Sequence, residues 1–103
     1  MKEDLEMTVV KKKEGVTLTI APAGRLDTLT APDLEKELSE LPEGTESLVF
    51  DLKDLEYISS AGLRVLLFAK NMIGDGKMTV KNANETVNEI FEITGFSDIL
   101  TVE

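Results

Sequence analysis

The chain of 103 residues is 42% hydrophobic and carries 20 acidic against 11 basic residues, a formal net charge of −9, with no histidine and no cysteine. A domain of this size can bury one core, and its acidity disfavours binding to nucleic acid and to anionic membranes. The missing cysteines exclude disulfides and thiolate metal sites, and the missing histidines remove the commonest general base and the commonest zinc ligand.

The N-terminal part of the chain predicts an antiparallel hairpin. Leu5, Met7 and Val9 alternate with polar residues, and after a charged stretch with a turn glycine Leu18 and Ile20 alternate in the same way. The first residues lack the apolar run of a signal peptide, and no stretch approaches the roughly 20 apolar residues of a membrane span. We therefore expect a cytoplasmic protein.

Two helices and an interior strand are predicted next. Residues 28–41 have apolar positions at helical spacing, with Pro32 in the first turn. The near-continuous apolar run at 47–52 predicts a covered strand, and residues 53–57 are interpreted as a loop. A leucine-rich helix is predicted to begin near Ser60.

The last third of the chain predicts a strand, a helix and a final strand. The strand covers residues 77–83, Asn84 is a suitable N-cap for the helix, Gly95 is a suitable residue to end it, and residues 99–103 form the last strand. The order β-β-α-β-α-β-α-β makes a small α/β domain with a mixed sheet, because strands joined through helices run parallel and the leading hairpin is antiparallel.

Ser59 and Ser60 raise the question of chemistry at the start of the second predicted helix. A serine in this position ordinarily caps the helix by accepting a hydrogen bond from an early backbone N–H, and capping is the simpler interpretation. Nucleophilic catalysis would need a base, and the chain has no histidine to supply it. The start of this helix is also compatible with phosphorylation of a serine by another enzyme, because a helix N-terminus favours negative charge.

Asp27 follows the second predicted strand in the segment "GRLD". It can simply cap the helix that comes after it. Alternatively, its carboxylate can lie beside the Ser60 loop, since both segments follow strand ends, and can there contact a partner or hold the serine loop.

The chain resembles the anti-sigma factor antagonist branch of the STAS domains. The resemblance is carried by "GRLDTLTAPDLEKEL", "LVFDLKDLEYISSAGLRVLL" and "VNEIFEITGFSDIL", in this order. It implies that residues 1–103 form a single STAS domain, a mixed sheet of four to five strands with helices packed mainly on one face.

The resemblance also implies a function without catalysis. Members of this branch bind an anti-sigma factor that is also a serine kinase, which frees the sigma factor by partner switching. The kinase phosphorylates the antagonist with ATP and magnesium, and a PP2C-type phosphatase removes the phosphate. ATP and metal therefore belong to the partners, and we expect this chain to have no cofactor of its own, no enzymatic activity, and to be a monomer or a weak dimer.

The site residues follow from the position of each residue in the family's motif. Alignment on Gly62 and Leu63 makes Ser60 the phosphoacceptor, with Ser59 a weaker candidate, and the family's usual residue at the position of Ser59 is aspartate. The predicted partner-binding residues are those at the helix start together with the aspartate after the second strand: Asp27, Ser59, Ser60, Ala61, Gly62 and Leu63.

Two other functions remain open at this point. Some STAS domains bind partners without phosphorylation, so the chain could be a phosphorylation-independent adaptor or scaffold in another bacterial signalling assembly. A small serine hydrolase using Ser60 is the third alternative, against which the absence of histidine weighs.

Overall fold

In the part of the chain that the structure describes, a mixed sheet of six strands forms one layer of the fold. The computed structural model describes residues 7–74 and 76–103, so Leu5 of the predicted first strand lies outside the described residues. The strands are β1 (Thr8–Glu14), β2 (Thr17–Leu26), β3 (Ser47–Asp51), β4 (Leu55–Ile58), β5 (Lys77–Lys81) and β6 (Thr101–Val102). The predicted hairpin of β1 and β2 turns at Gly15 (φ 60°), and β2, β3, β5 and β6 lie side by side and parallel in that order.

The helices cover one face of this sheet. They are α1 (Ala31–Ser39), α2 (Ser60–Ile73), α3 (Glu85–Thr94) and the short α4 (Phe96–Ile99). Alternate residues of the central strands are buried while those between them are only partly covered, as expected for a sheet packed on a single face. The predicted fold class is confirmed. The buried side chains that form the core include Leu18, Ile20, Leu34, Leu38, Leu48, Phe50, Leu66, Val80, Val87 and Phe91.

Strand β4 corrects the prediction of a loop over residues 53–57. It pairs in parallel with the C-terminal part of β2, where Leu26 lies opposite Ile58, whereas β3 pairs with residues 17–20 at the start of β2. Leu55 and Ile58 are buried, but four residues are too few for a clear alternating pattern. The sheet therefore has one strand more than expected, and the ends of β2 and β4 are adjacent.

The third helix is held by the residues that the sequence predicts for its ends. Asn84 Oδ1 accepts a hydrogen bond from the Val87 N–H at 2.7 Å, and Asn84 Nδ2 donates to the Leu55 carbonyl at 3.1 Å, which ties α3 to β4. Gly95 ends α3 in the left-handed conformation (φ 82°). The short helix α4 occupies the start of the predicted last strand, which is reduced to β6.

None of the helices in the two described ranges is long and apolar enough to cross a membrane.

Candidate functional site

The candidate site lies where β2 and β4 end next to each other. Leu26 and Ile58 are opposite residues in these strands, and the Ser59 N–H donates to the Leu26 carbonyl at 2.9 Å, which extends the pairing by one residue. Asp27 and Ser59 therefore leave the sheet side by side. The structure thus brings together the two segments that the sequence analysis selected separately.

Ser59 is the N-cap of α2. Its backbone is extended (φ −101°, ψ 178°), and its Oγ accepts a hydrogen bond from the Gly62 N–H over a long distance of 3.4 Å. Its carbonyl accepts a second bond from the Leu63 N–H at 2.9 Å. Aspartate caps helices as well as serine does, so the usual family residue and Ser59 can serve the same local role, and what differs is the charge.

Ser60 is the first residue of α2, and its side chain is exposed. Because Ser59 caps the helix, the Ser60 hydroxyl is not needed for that purpose, and among the described residues we observe no hydrogen bond to its Oγ. The helix that begins here has 14 residues and no acidic residue in its first turn. Its unpaired N–H groups and its dipole therefore favour a negative group at this position.

Gly62 and Leu63, which are predicted as partner-binding residues, are buried in the fold. A Cβ on Gly62 would lie 2.7 Å from Ile58 Cγ1, 2.7 Å from Leu26 Cγ and 2.9 Å from the Leu26 carbonyl oxygen. Gly62 is therefore required for the close contact of α2 with the sheet, and Leu63 belongs to the core. Of the neighbouring residues at the start of α2, Ser60 is exposed and Ala61 is partly covered.

Asp27 organises its own turn. Its Oδ1 accepts hydrogen bonds from the Leu29 N–H at 3.0 Å and the Thr30 N–H at 3.2 Å. Within the described residues, we find these bonds inside the turn and none to Ser59 or Ser60. The alternative that Asp27 caps the following helix is wrong, because the N-cap residue of α1 is Thr30. The Asp27 carboxylate instead orders the turn that precedes this helix.

Thr30, Arg25 and Tyr57 also shape this end of the sheet, and the sequence analysis did not identify them. Thr30 is 4% exposed, and its hydroxyl donates to the Arg25 carbonyl at 2.7 Å, joining the end of β2 to the start of α1. The Arg25 guanidinium lies 4.5 Å from the centre of the Tyr57 ring, with Nε 3.7 Å from Asp27 Oδ2. The Arg25 guanidinium is thus held beside Asp27.

Asp51 is a second carboxylate at this edge of the sheet, but it is committed to the loop before α3. Its Oδ1 accepts a hydrogen bond from the Asn82 amide at 3.0 Å and another from the Lys53 N–H at 3.2 Å. The bond from Asn82 is the main cause that lowers the pKa of Asp51. No three His, Cys, Asp or Glu side chains in the described part of the chain lie together in a way that could hold a metal ion.

Comparison with known proteins finds relatives that are described as anti-sigma factor antagonists. A family model described as the STAS domain matches residues 7–103. The anti-sigma-B factor antagonist of Bacillus subtilis is 33% identical over 95 residues, which cover 90% of this chain and 86% of that protein.

Solved structures give the same result for the fold. The anti-sigma factor antagonist from Mycobacterium paratuberculosis superposes with a TM-score of 0.87 at 20% identity, covering 99% of this chain and 89% of that chain. The anti-sigma factor antagonist SpoIIAA in its unphosphorylated form has a TM-score of 0.78 at 17% identity, covering 93% and 88% of the two chains. The Bacillus cell fate determinant SpoIIAA in its phosphorylated form has a TM-score of 0.72 at 15% identity, with coverage of 93% and 91%.

Proposed function

The chain belongs to the STAS domain family, within its anti-sigma factor antagonist branch, and from this premise we propose a partner-switching cycle. In this cycle the unphosphorylated protein binds an anti-sigma factor serine kinase and so releases the sigma factor. Phosphorylation of Ser60 then ends the binding. The cycle takes place in the cytoplasm, and a PP2C-type phosphatase restores the Ser60 hydroxyl.

The observation that carries the proposal is the division of roles between the two serines. Ser59 caps α2, while the neighbouring Ser60 is exposed at the first helical position and free of that task. In the transfer, Ser60 Oγ would form the new bond to the γ-phosphorus of ATP as the bond to ADP breaks. A base of the kinase would take the hydroxyl proton. The helix N-terminus would then stabilise the phosphate.

The chain itself contributes a substrate hydroxyl and a docking surface to this cycle. ATP and magnesium would bind to the kinase, so we assign no cofactor and no catalytic residue here. The serine hydrolase alternative would need a base for Ser60, and the sequence has no histidine. Asp27, Ser59, Ser60 and Ala61 form the proposed contact region, and Gly62 and Leu63 support it from beneath.

A phosphorylation-independent adaptor is the second candidate function. The observation in its favour is that Ser59 stands where the family usually has an aspartate next to the phosphoacceptor. A kinase can therefore recognise this chain differently from members that have the aspartate. Under this alternative the protein binds its partner with the same affinity whichever residue stands at position 60.

Phosphate transfer to Ser60 is the direct test. The protein is incubated with the anti-sigma factor kinase of the same organism, ATP and magnesium, and its intact mass is measured. We expect one added phosphate on the wild type and on Ser59→Ala, and none on Ser60→Ala. Absence of phosphate on the wild type, or equal phosphate on Ser60→Ala, would contradict the assignment.

A further inference from the structure

The face of the sheet that points away from the helices is bare in the described part of the chain. Buried residues alternate with partly covered ones along β2, β3 and β5, and the buried ones form the core beneath the helices. The molecule measures 36 × 34 × 19 Å, so its shortest dimension corresponds to one sheet and one layer of helices. Parallel strands such as these three are usually covered on both faces. The bare side of the sheet, called the open face below, is therefore a candidate contact surface.

The centre of the open face is a row of small and β-branched side chains. Strand pairing places Val49 of β3 between Thr19 of β2 and Thr79 of β5, and paired residues point to the same side of a sheet. All three are partly covered. Nearby, Ala21 lies opposite Val10 of the edge strand β1, and Val10 is 65% exposed. The centre is thus uncharged and has no bulky side chain, which suits packing against another sheet.

The charges on the open face nearly cancel, although the chain carries a formal net charge of −9. The pairing places three lysines and two acidic residues around the central row, a formal charge of +1: Lys12, Lys77, Lys81, Glu14 and Asp51. Contact between two copies elsewhere would bring the acidic part of each chain together. On the open face, the lysines of one copy can lie against the acidic side chains of the other.

We propose that the open face is a contact surface between two copies of this chain, which pack sheet against sheet about a two-fold axis. Packed sheets lie about 10 Å apart, a spacing that the threonine, valine and alanine side chains of the open face can fill. The proposal is independent of the proposed function. Ser60 begins α2 in the helix layer, so both copies of the dimer would keep this serine accessible.

Extension of the sheet through β1 is a poorer way to join two copies. In the described part of the chain, β1 is an edge strand that pairs with β2 alone. It carries three consecutive lysines, Lys11, Lys12 and Lys13, and lysines on an edge strand oppose pairing with a further strand. Two β1 strands side by side would also place like charges next to each other. Packing through the open face avoids this arrangement.

The area of the open face predicts a weak dimer. Strands β1, β2, β3 and β5 have 7, 10, 5 and 5 residues. At about 3.3 Å per residue along a strand and about 4.8 Å between strands, they cover roughly 400 Å² per copy. Two copies would bury about 800 Å² in total, which is below the range of stable complexes and within that of transient ones. We therefore expect a Kd of about 0.1–1 mM.

Val49→Lys tests the proposal against a matched control, Ile93→Lys. Both variants add one positive charge to the acidic chain, but Val49 lies at the centre of the open face and Ile93 is 84% exposed on α3. Thr79→Lys is a second variant at the same centre, should the first fold poorly. Self-association is measured by sedimentation equilibrium from about 20 µM to 2 mM, which brackets the expected Kd, with thermal unfolding of each variant. We expect Val49→Lys and Thr79→Lys to weaken the dimer at least about 10-fold, and Ile93→Lys to change it less than about 2-fold.

Methyl resonances of the wild type give a second measurement. The methyl signals of Thr19, Val49 and Thr79 should shift with protein concentration, and that of Ile93 should not. A wild type that stays monomeric up to about 2 mM would overturn the proposal. A dimer that both central variants form as readily as Ile93→Lys would overturn it too, because another surface would then join the copies. Neither result bears on the proposed function, which is tested with the kinase.

Discussion

Gly62→Ala should destabilise the protein by about 1–3 kcal/mol, the usual cost of overpacking a close contact. The added Cβ would meet Ile58 Cγ1 and Leu26 Cγ at 2.7 Å and the Leu26 carbonyl oxygen at 2.9 Å, so α2 must move away from the sheet. Alanine is the better helix former, which offsets the cost by less than about 1 kcal/mol in the first turn. For a domain of this size we expect the Tm to fall by roughly 4–20 °C.

A double-mutant cycle separates this contact from a general effect of the substitution. Ser60→Ala is the matched control in the same turn and should change stability little, since Ser60 is exposed. In a Leu26→Ala background the Leu26 Cγ is gone, so Gly62→Ala should cost less than in the wild type. Unchanged or raised stability of Gly62→Ala would show that α2 does not pack against the sheet as described.

Ser60→Asp should weaken binding to the anti-sigma factor kinase by about 10-fold or more. The substitution places a charge where the partner is proposed to cover a neutral hydroxyl, and an unpaired charge buried in an interface costs about 2–5 kcal/mol. Folding should not suffer, because an acidic residue in the first turn of α2 interacts favourably with the helix dipole. The affinity is measured by titration and the folding by thermal unfolding.

Thr86→Asp is the control for the added charge. Thr86 is exposed in the first turn of α3, so this variant has the same net charge and a comparable helix position. It should bind the kinase like the wild type. Equal losses for both variants would mean that net charge, rather than the position of Ser60, sets the affinity. If neither variant loses affinity, the phosphorylation-independent adaptor becomes the better account.

The arrangement of helices and strands could largely be predicted from the sequence, because most elements are long enough to show their period. The hairpin, the cap at Asn84 and the end of α3 at Gly95 were all readable from local residue types. Strand β4 was not, since its four residues cannot display an alternating pattern. Its pairing with β2 is nevertheless what places Asp27 next to Ser59.

The candidate site could be predicted in its location but less well in its roles. Resemblance selected Gly62 and Leu63 as partner contacts, and the structure adds that both are buried and that Gly62 packs closely on Leu26 and Ile58. Whether a glycine packs closely against a neighbouring strand depends on tertiary packing, and the local sequence carries no signal of it. The predicted helix includes Leu29, whereas α1 begins only at Ala31. Leu29 therefore lies in the turn before the helix, where it is exposed.

Affinity of the kinase for the phosphorylated and the unphosphorylated protein is the measurement that tests the central claim most directly. Both forms are prepared from one purification, with the phosphate located by mass spectrometry, and titrated with the kinase under the same conditions. We predict that the form with phosphate on Ser60 binds at least about 100-fold more weakly, because the phosphate adds about −1.5 to −2 charges to the interface. Equal affinity of the two forms would contradict the proposed switch.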